Sequence, residues 1–68
     1  MKPMAKRLVI KALRRKECAK VSDDGRHEKW LCPCGKHVTA VPRHSEVTAG
    51  VVRGIQLDME CLPEGWLQ

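Results

Sequence analysis

The chain has 68 residues and a formal charge of +5, with four cysteines, two tryptophans and neither Phe nor Tyr. That length leaves room for one domain, residues 1–68, whose core must be aliphatic. No apolar run approaches a transmembrane span. "LVI" at 8–10 is too short for the apolar part of a secretion signal, so a reduced, cytoplasmic protein without a membrane partner is expected. A core this small calls for a staple or a partner chain, and a homodimer is one way to supply it.

Charge is concentrated at one end. Residues 1–20 carry eight Lys or Arg against one Glu, a local +7, and residues 21–68 carry five basic against seven acidic residues, a local −2. A cationic segment of this kind points to a polyanion, nucleic acid first.

In chain order, residues 4–18 predict a helix. Ala5, Leu8, Val9, Ala12 and Leu13 recur at helical spacing as the buried stripe, Pro3 suits the first turn, and Lys6, Arg7, Lys11, Arg14 and Arg15 fall largely off the stripe. "AKVS" at 19–22 predicts a first strand and "DDG" at 23–25 a turn. "RHEKWLC" alternates as a second strand, with Glu28, Trp30 and Cys32 on one face and His27, Lys29 and Leu31 on the other. "PCG" at 33–35 predicts a three-residue hairpin loop with Gly35 left-handed, a register that pairs Trp30 with Val38. "KHVTAV" returns as a third strand, ended by Pro42.

Residues 45–61 predict a second helix, capped by Ser45 or Thr48. Val51, Val52, Ile55 and Met59 form its stripe, and Gly50 and Gly54 suggest close packing on a neighbouring backbone. Pro63 stops the helix and "EGWLQ" is a tail. The fold class expected is α+β, with two helices on one face of a three-stranded antiparallel sheet.

The chemistry is densest from Asp23 to His44. Cys32, Cys34 and His37 have the residue types of a zinc site, with Cys18, Cys61 or His44 as a fourth ligand. The Cys-x-Cys spacing is one residue short of the usual knuckle, and Cys18 and Cys61 read equally as core-facing thiols. The expectation is therefore no metal and no cofactor, with a zinc-stapled structural domain as an alternative. A nucleophilic Cys34 beside Lys36 is a weaker reading.

The remaining reading is RNA cleavage. It needs a base to take the 2′-hydroxyl proton and cations to stabilise the charged phosphorane. Histidine suits the first role, and His27 stands between Arg26 and Lys29. Arg14, Arg15, Lys16, Lys20, Arg26, Lys29, Lys36 and Arg43 are the candidate phosphate contacts; such contacts position a strand without reading its sequence. Trp66 is the one aromatic ring open to base stacking, and it also suits packing on the fold.

The order of these residues resembles the HicA family of bacterial toxins, small mRNA interferases with a fold like the double-stranded RNA-binding domain. The match rests on "DGRHEKW", where Gly25 and His27 agree with the family's Gly-Ser-His, and on "VPRH" at 41–44 and "GVVRGI" at 50–55. Arg26 stands where serine is usual; an arginine there can hold the scissile phosphate. The "CPCGKH" hairpin and "CLPEGW" tail resemble a cysteine-containing branch. The resemblance implies an endoribonuclease acting on mRNA with His27 as catalytic base, and silencing by a HicB-type antitoxin. A non-catalytic RNA-binding or regulatory protein of the same fold is the alternative.

Overall fold

The structure is a computed structural model that describes residues 2–23, 25–63 and 65–68. Two helices and a three-stranded antiparallel sheet make an α+β fold. In chain order the elements are β1 (Met4–Ala5), α1 (Lys6–Arg15), β2 (Ala19–Asp23), β3 (His27–Leu31), β4 (Val38–Pro42), β5 (Glu46–Val47) and α2 (Ala49–Asp58). The sheet is a meander ordered β2-β3-β4. Of the expected DDG turn and tail, Asp24 and Glu64 lie outside the described residues.

Both helices are shorter than their apolar patterns predict. Met4–Ala5 and Glu46–Val47, taken as helix from sequence, pair instead as a two-stranded antiparallel ribbon, which the Lys6 N–H extends by donating to the Ser45 carbonyl at 2.9 Å. This ribbon fastens the start of α1 to the start of α2. Thr48 does sit at the N-cap of α2, but its side chain makes no capping hydrogen bond.

Strand β3 alternates as its sequence predicts. Glu28, Trp30 and Cys32 are buried, while His27 and Lys29 are exposed and Leu31 is half-buried. Trp30 meets Val9 and Leu13 of α1, Val41 of β4, and Val52, Ile55 and Met59 from α2 and its C-cap in one core. On α1 the stripe is narrower than expected: Val9 and Leu13 are fully buried, whereas Leu8 is 42% exposed. The ribbon takes Met4 and Ala5 out of the expected helix, which starts at Lys6. Gly50 and Gly54 have nothing within 4 Å of an added Cβ, so close backbone packing is not the reason for glycine at either position.

The hairpin register differs from the sequence expectation by one residue. Trp30 pairs with Thr39, and Val38 pairs with Leu31. The Cys32 N–H donates to the His37 carbonyl at 2.8 Å, so the loop is Pro33–Lys36, four residues rather than three. A one-residue slip moves every side chain of the returning strand to the other face. Here it buries Thr39 and Val41 and leaves Val38 48% exposed. The buried Thr39 hydroxyl is satisfied by donating to Asp58 Oδ2 at 2.9 Å, which ties β4 to the end of α2.

Candidate functional site

At the open end of the β3–β4 hairpin the ladder continues past the strands. His27 pairs with Pro42, and the Arg43 N–H donates to the Arg26 carbonyl at 3.3 Å. The chain therefore places Arg26 against Arg43 and His27 against Pro42. With Gly25 and His44 these residues line one pocket. It is the place among the described residues where two histidines and two arginines converge.

The turn before β3 shapes this pocket. Asp23 Oδ1 accepts the Gly25 N–H at 3.2 Å, a side-chain closure common in turns. Gly25 has φ 93°, a conformation that favours glycine. The other oxygen, Asp23 Oδ2, bonds the Arg43 guanidinium. One carboxylate thus sets the turn that delivers His27 and holds an arginine at the pocket edge. That hydrogen bond from Arg43 holds the Asp23 carboxyl below its ordinary range, helped by the Gly25 N–H. Sequence reasoning did not place Asp23 or His44 at this site. The signal was present in the strand register, which brings Pro42 opposite His27 and so carries the Pro-x-His end of "VPRH" into the pocket.

Inward from the pocket, Glu28 accepts a hydrogen bond from Lys6 Nζ at 2.5 Å. This bond holds the Glu28 carboxyl below its usual value against the opposing effect of burial. It fixes the first turn of α1 to β3, one residue from His27.

The expected phosphate contacts divide into groups. Arg26 and Arg43 line the pocket, and Lys29 shares the outward face of β3 with His27. Lys20 lies in edge strand β2 and contacts Asp23 at 3.9 Å. Arg14 and Arg15 are in the last turn of α1, with Lys16 at its C-cap. That end of the helix leads through Cys18 into Ala19, which pairs with Leu31, at the loop end of the hairpin. Lys36 is in that loop. The α1 cations and Lys36 therefore lie at the opposite end of the sheet from His27, on the order of 13 Å away along the strand. Trp66 is half-buried and packs against the core, which favours its structural role over stacking.

At that loop end a second cluster forms. Ligand atoms of Cys32, Cys34, His37 and Cys61 all lie within 4.8 Å of one another. Cys34 Sγ is 3.1 Å from His37 Nδ1 and 3.5 Å from Cys61 Sγ, and accepts the Lys36 N–H at 3.4 Å. The Lys36 N–H and then His37 pull the Cys34 thiol below its ordinary pKa, and Cys34 in turn raises that of His37. Cys61, read from sequence as core-facing, is exposed; α2 ends three residues earlier and the following turn swings its sulfur out to the hairpin. Cys18 is not a member of this cluster. It is a buried core thiol, and burial raises its pKa.

No family model, no curated protein and no solved structure matches this chain. Among the described residues, no helix is long and apolar enough to cross a membrane.

Proposed function

We propose that this protein is an endoribonuclease of the toxin–antitoxin kind, cleaving mRNA in the cytoplasm at the His27 pocket. The observation that carries the reading is the convergence of His27, His44, Arg26 and Arg43 on one pocket. The sequence resemblance to the HicA family supports it through the segments that contain Gly25, His27, Pro42 and His44. The helix, antiparallel meander and helix are also the elements that a fold like the double-stranded RNA-binding domain requires, and that finer assignment belongs to the same proposal.

The chemistry follows from the residue types. Neutral His27 takes the proton of a ribose 2′-hydroxyl, and the resulting oxygen attacks the adjacent phosphorus. Arg26 and Arg43 neutralise the charge that builds on the non-bridging oxygens, a role suited to bidentate guanidinium groups. Protonated His44 gives its proton to the departing 5′-oxygen. The products are a 2′,3′-cyclic phosphate and a 5′-hydroxyl, and no water is consumed in this step. None of the described residues lining the pocket is a Trp, Tyr or Phe, so sequence preference is weak. A toxin of this type is kept silent by a protein partner, here a HicB-type antitoxin whose surface covers the same arginines.

The test is inducible expression in bacteria of wild type, His27→Ala and His44→Ala. Growth arrest with loss of intact mRNA is expected from wild type alone. Arrest by a folded His27→Ala protein would remove His27 as the base.

A further inference from the structure

We infer that Cys32, Cys34, His37 and Cys61 form a structural zinc site that staples the β3–β4 loop to the turn after α2. This site is independent of the proposed nuclease reading, because the cluster and the His27 pocket occupy opposite ends of the hairpin.

Four observations carry it. The first is convergence: three sulfurs and one imidazole nitrogen meet within 4.8 Å, although Cys32 and Cys61 are 29 residues apart in sequence. Sulfurs bound to one tetrahedral zinc at about 2.3 Å stand about 3.8 Å from each other, close to the 3.5 Å between the Cys34 and Cys61 sulfurs. The second is the backbone of Cys32 and Cys61. The structure pairs their sulfurs as a disulfide, but their Cα atoms are 7.9 Å apart, beyond the upper limit of about 6.8 Å for a disulfide. Bridging them directly would draw the two segments together by about 1 Å, whereas a shared metal spans the gap.

The third observation is the orientation of His37. Its Nδ1 faces the Cys34 sulfur at 3.1 Å, leaving Nε2 turned outward to Glu60 Oε1 at 3.6 Å. A carboxylate behind the distal nitrogen is the usual support of a zinc-bound histidine, since it fixes the tautomer that presents the other nitrogen to the metal. The fourth is the Lys36 N–H, which points at the Cys34 sulfur from within the loop and stabilises it as thiolate. Gly35, with φ 79°, gives the loop the turn that allows this.

Three thiolates and one imidazole favour zinc among common divalent ions. Four protein ligands leave no open position, which marks the site as structural rather than catalytic. On binding, three thiols release their protons to solvent, and zinc with three thiolates and neutral His37 carries a net charge of −1. A metal here also supplies the staple that a chain of this size and aromatic poverty needs. In the sequence, the short Cys-x-Cys spacing counts against a metal. The convergence of His37 and Cys61 on the same loop supplies the ligands that spacing alone leaves unplaced.

The test uses the full chain purified under reducing conditions without chelator. Elemental analysis should give one zinc per chain, and replacement by Co²⁺ should give the intense visible bands and thiolate charge-transfer absorption of a tetrahedral sulfur-rich site. A strong chelator should lower the Tm, and added zinc should restore it. Cys61→Ser, at an exposed position, should lose the stoichiometric metal, and Cys18→Ser should keep it. A reduced, folded wild-type chain that holds no zinc and gives no tetrahedral cobalt spectrum would overturn the site. So would a Cys32–Cys61 disulfide, seen as a loss of two mass units, that persists in protein prepared with reductant.

Discussion

His27 faces Pro42 across the β3–β4 ladder, and two residues beyond Pro42 the chain returns His44 to the pocket that His27 lines. Strand β3 and the segment just after β4 thus bring the two histidines to one pocket. On the proposed arrangement both histidines take part in proton transfer. His27→Gln and His44→Gln should each lose about 10²–10⁴ in rate. Steady-state cleavage of a short RNA checks both, and a rate unchanged by either substitution would separate that residue from the chemistry.

Lys6 and Glu28 make an ion pair just inward of His27, with side chains 22% and 11% exposed. Glu28 titrates below its ordinary value because Lys6 donates to it. Its contribution to stability is therefore fully present above the unfolded carboxylate pKa and is lost as pH falls through the lower folded value. Lys6→Met leaves the carboxylate without its cation and should cost about 1–3 kcal/mol at neutral pH. The penalty should shrink in acid, where a protonated Glu28 no longer needs the lysine. Urea denaturation of both proteins at several pH values measures this, and a penalty that is flat or grows toward acid contradicts it.

The division of the cations gives a different expectation for each group. Arg14→Glu with Arg15→Glu should weaken RNA binding and flatten the salt dependence, by about 0.7 in slope for each phosphate no longer neutralised. The cleavage step at saturating RNA should stay intact. Arg26→Ala should lower the cleavage step itself. Equal effects on both quantities from the two sets would mean that the α1 face and the pocket are one site.

The sheet, its inward face and the outward position of His27 were legible in the sequence because a period of two over "RHEKWLC" admits one register against the core. Three features were not. The β1–β5 ribbon joins residues far apart in sequence, and two-residue strands carry no periodic signal. The four-residue loop was hidden because the Pro-Cys-Gly turn chemistry suits loops of either length, and the choice was made by burial of Thr39 and Val41. The four-ligand cluster was half visible: Cys32, Cys34 and His37 are close in sequence, but only the path of the chain after α2 selects Cys61 over Cys18 and His44 as the fourth member.

Thr39 tests the register. Its hydroxyl is buried and donates to Asp58, so Thr39→Val should cost about 0.5–1.5 kcal/mol through the lost hydrogen bond, and more if Asp58 is left unpaired out of water. Val38→Thr, on the exposed face, should be close to neutral. The opposite ranking in thermal unfolding would place Val38 inside and restore the three-residue loop.

RNA cleavage at His27 is tested by product analysis with purified, zinc-replete protein. Mass spectrometry of a short RNA treated with wild type should find 2′,3′-cyclic phosphate and 5′-hydroxyl ends. The same RNA carrying one 2′-deoxy residue should be spared at that linkage, and folded His27→Ala should make the products at least about a hundredfold more slowly. Cleavage at the 2′-deoxy linkage, or undiminished cleavage by folded His27→Ala, would contradict the account.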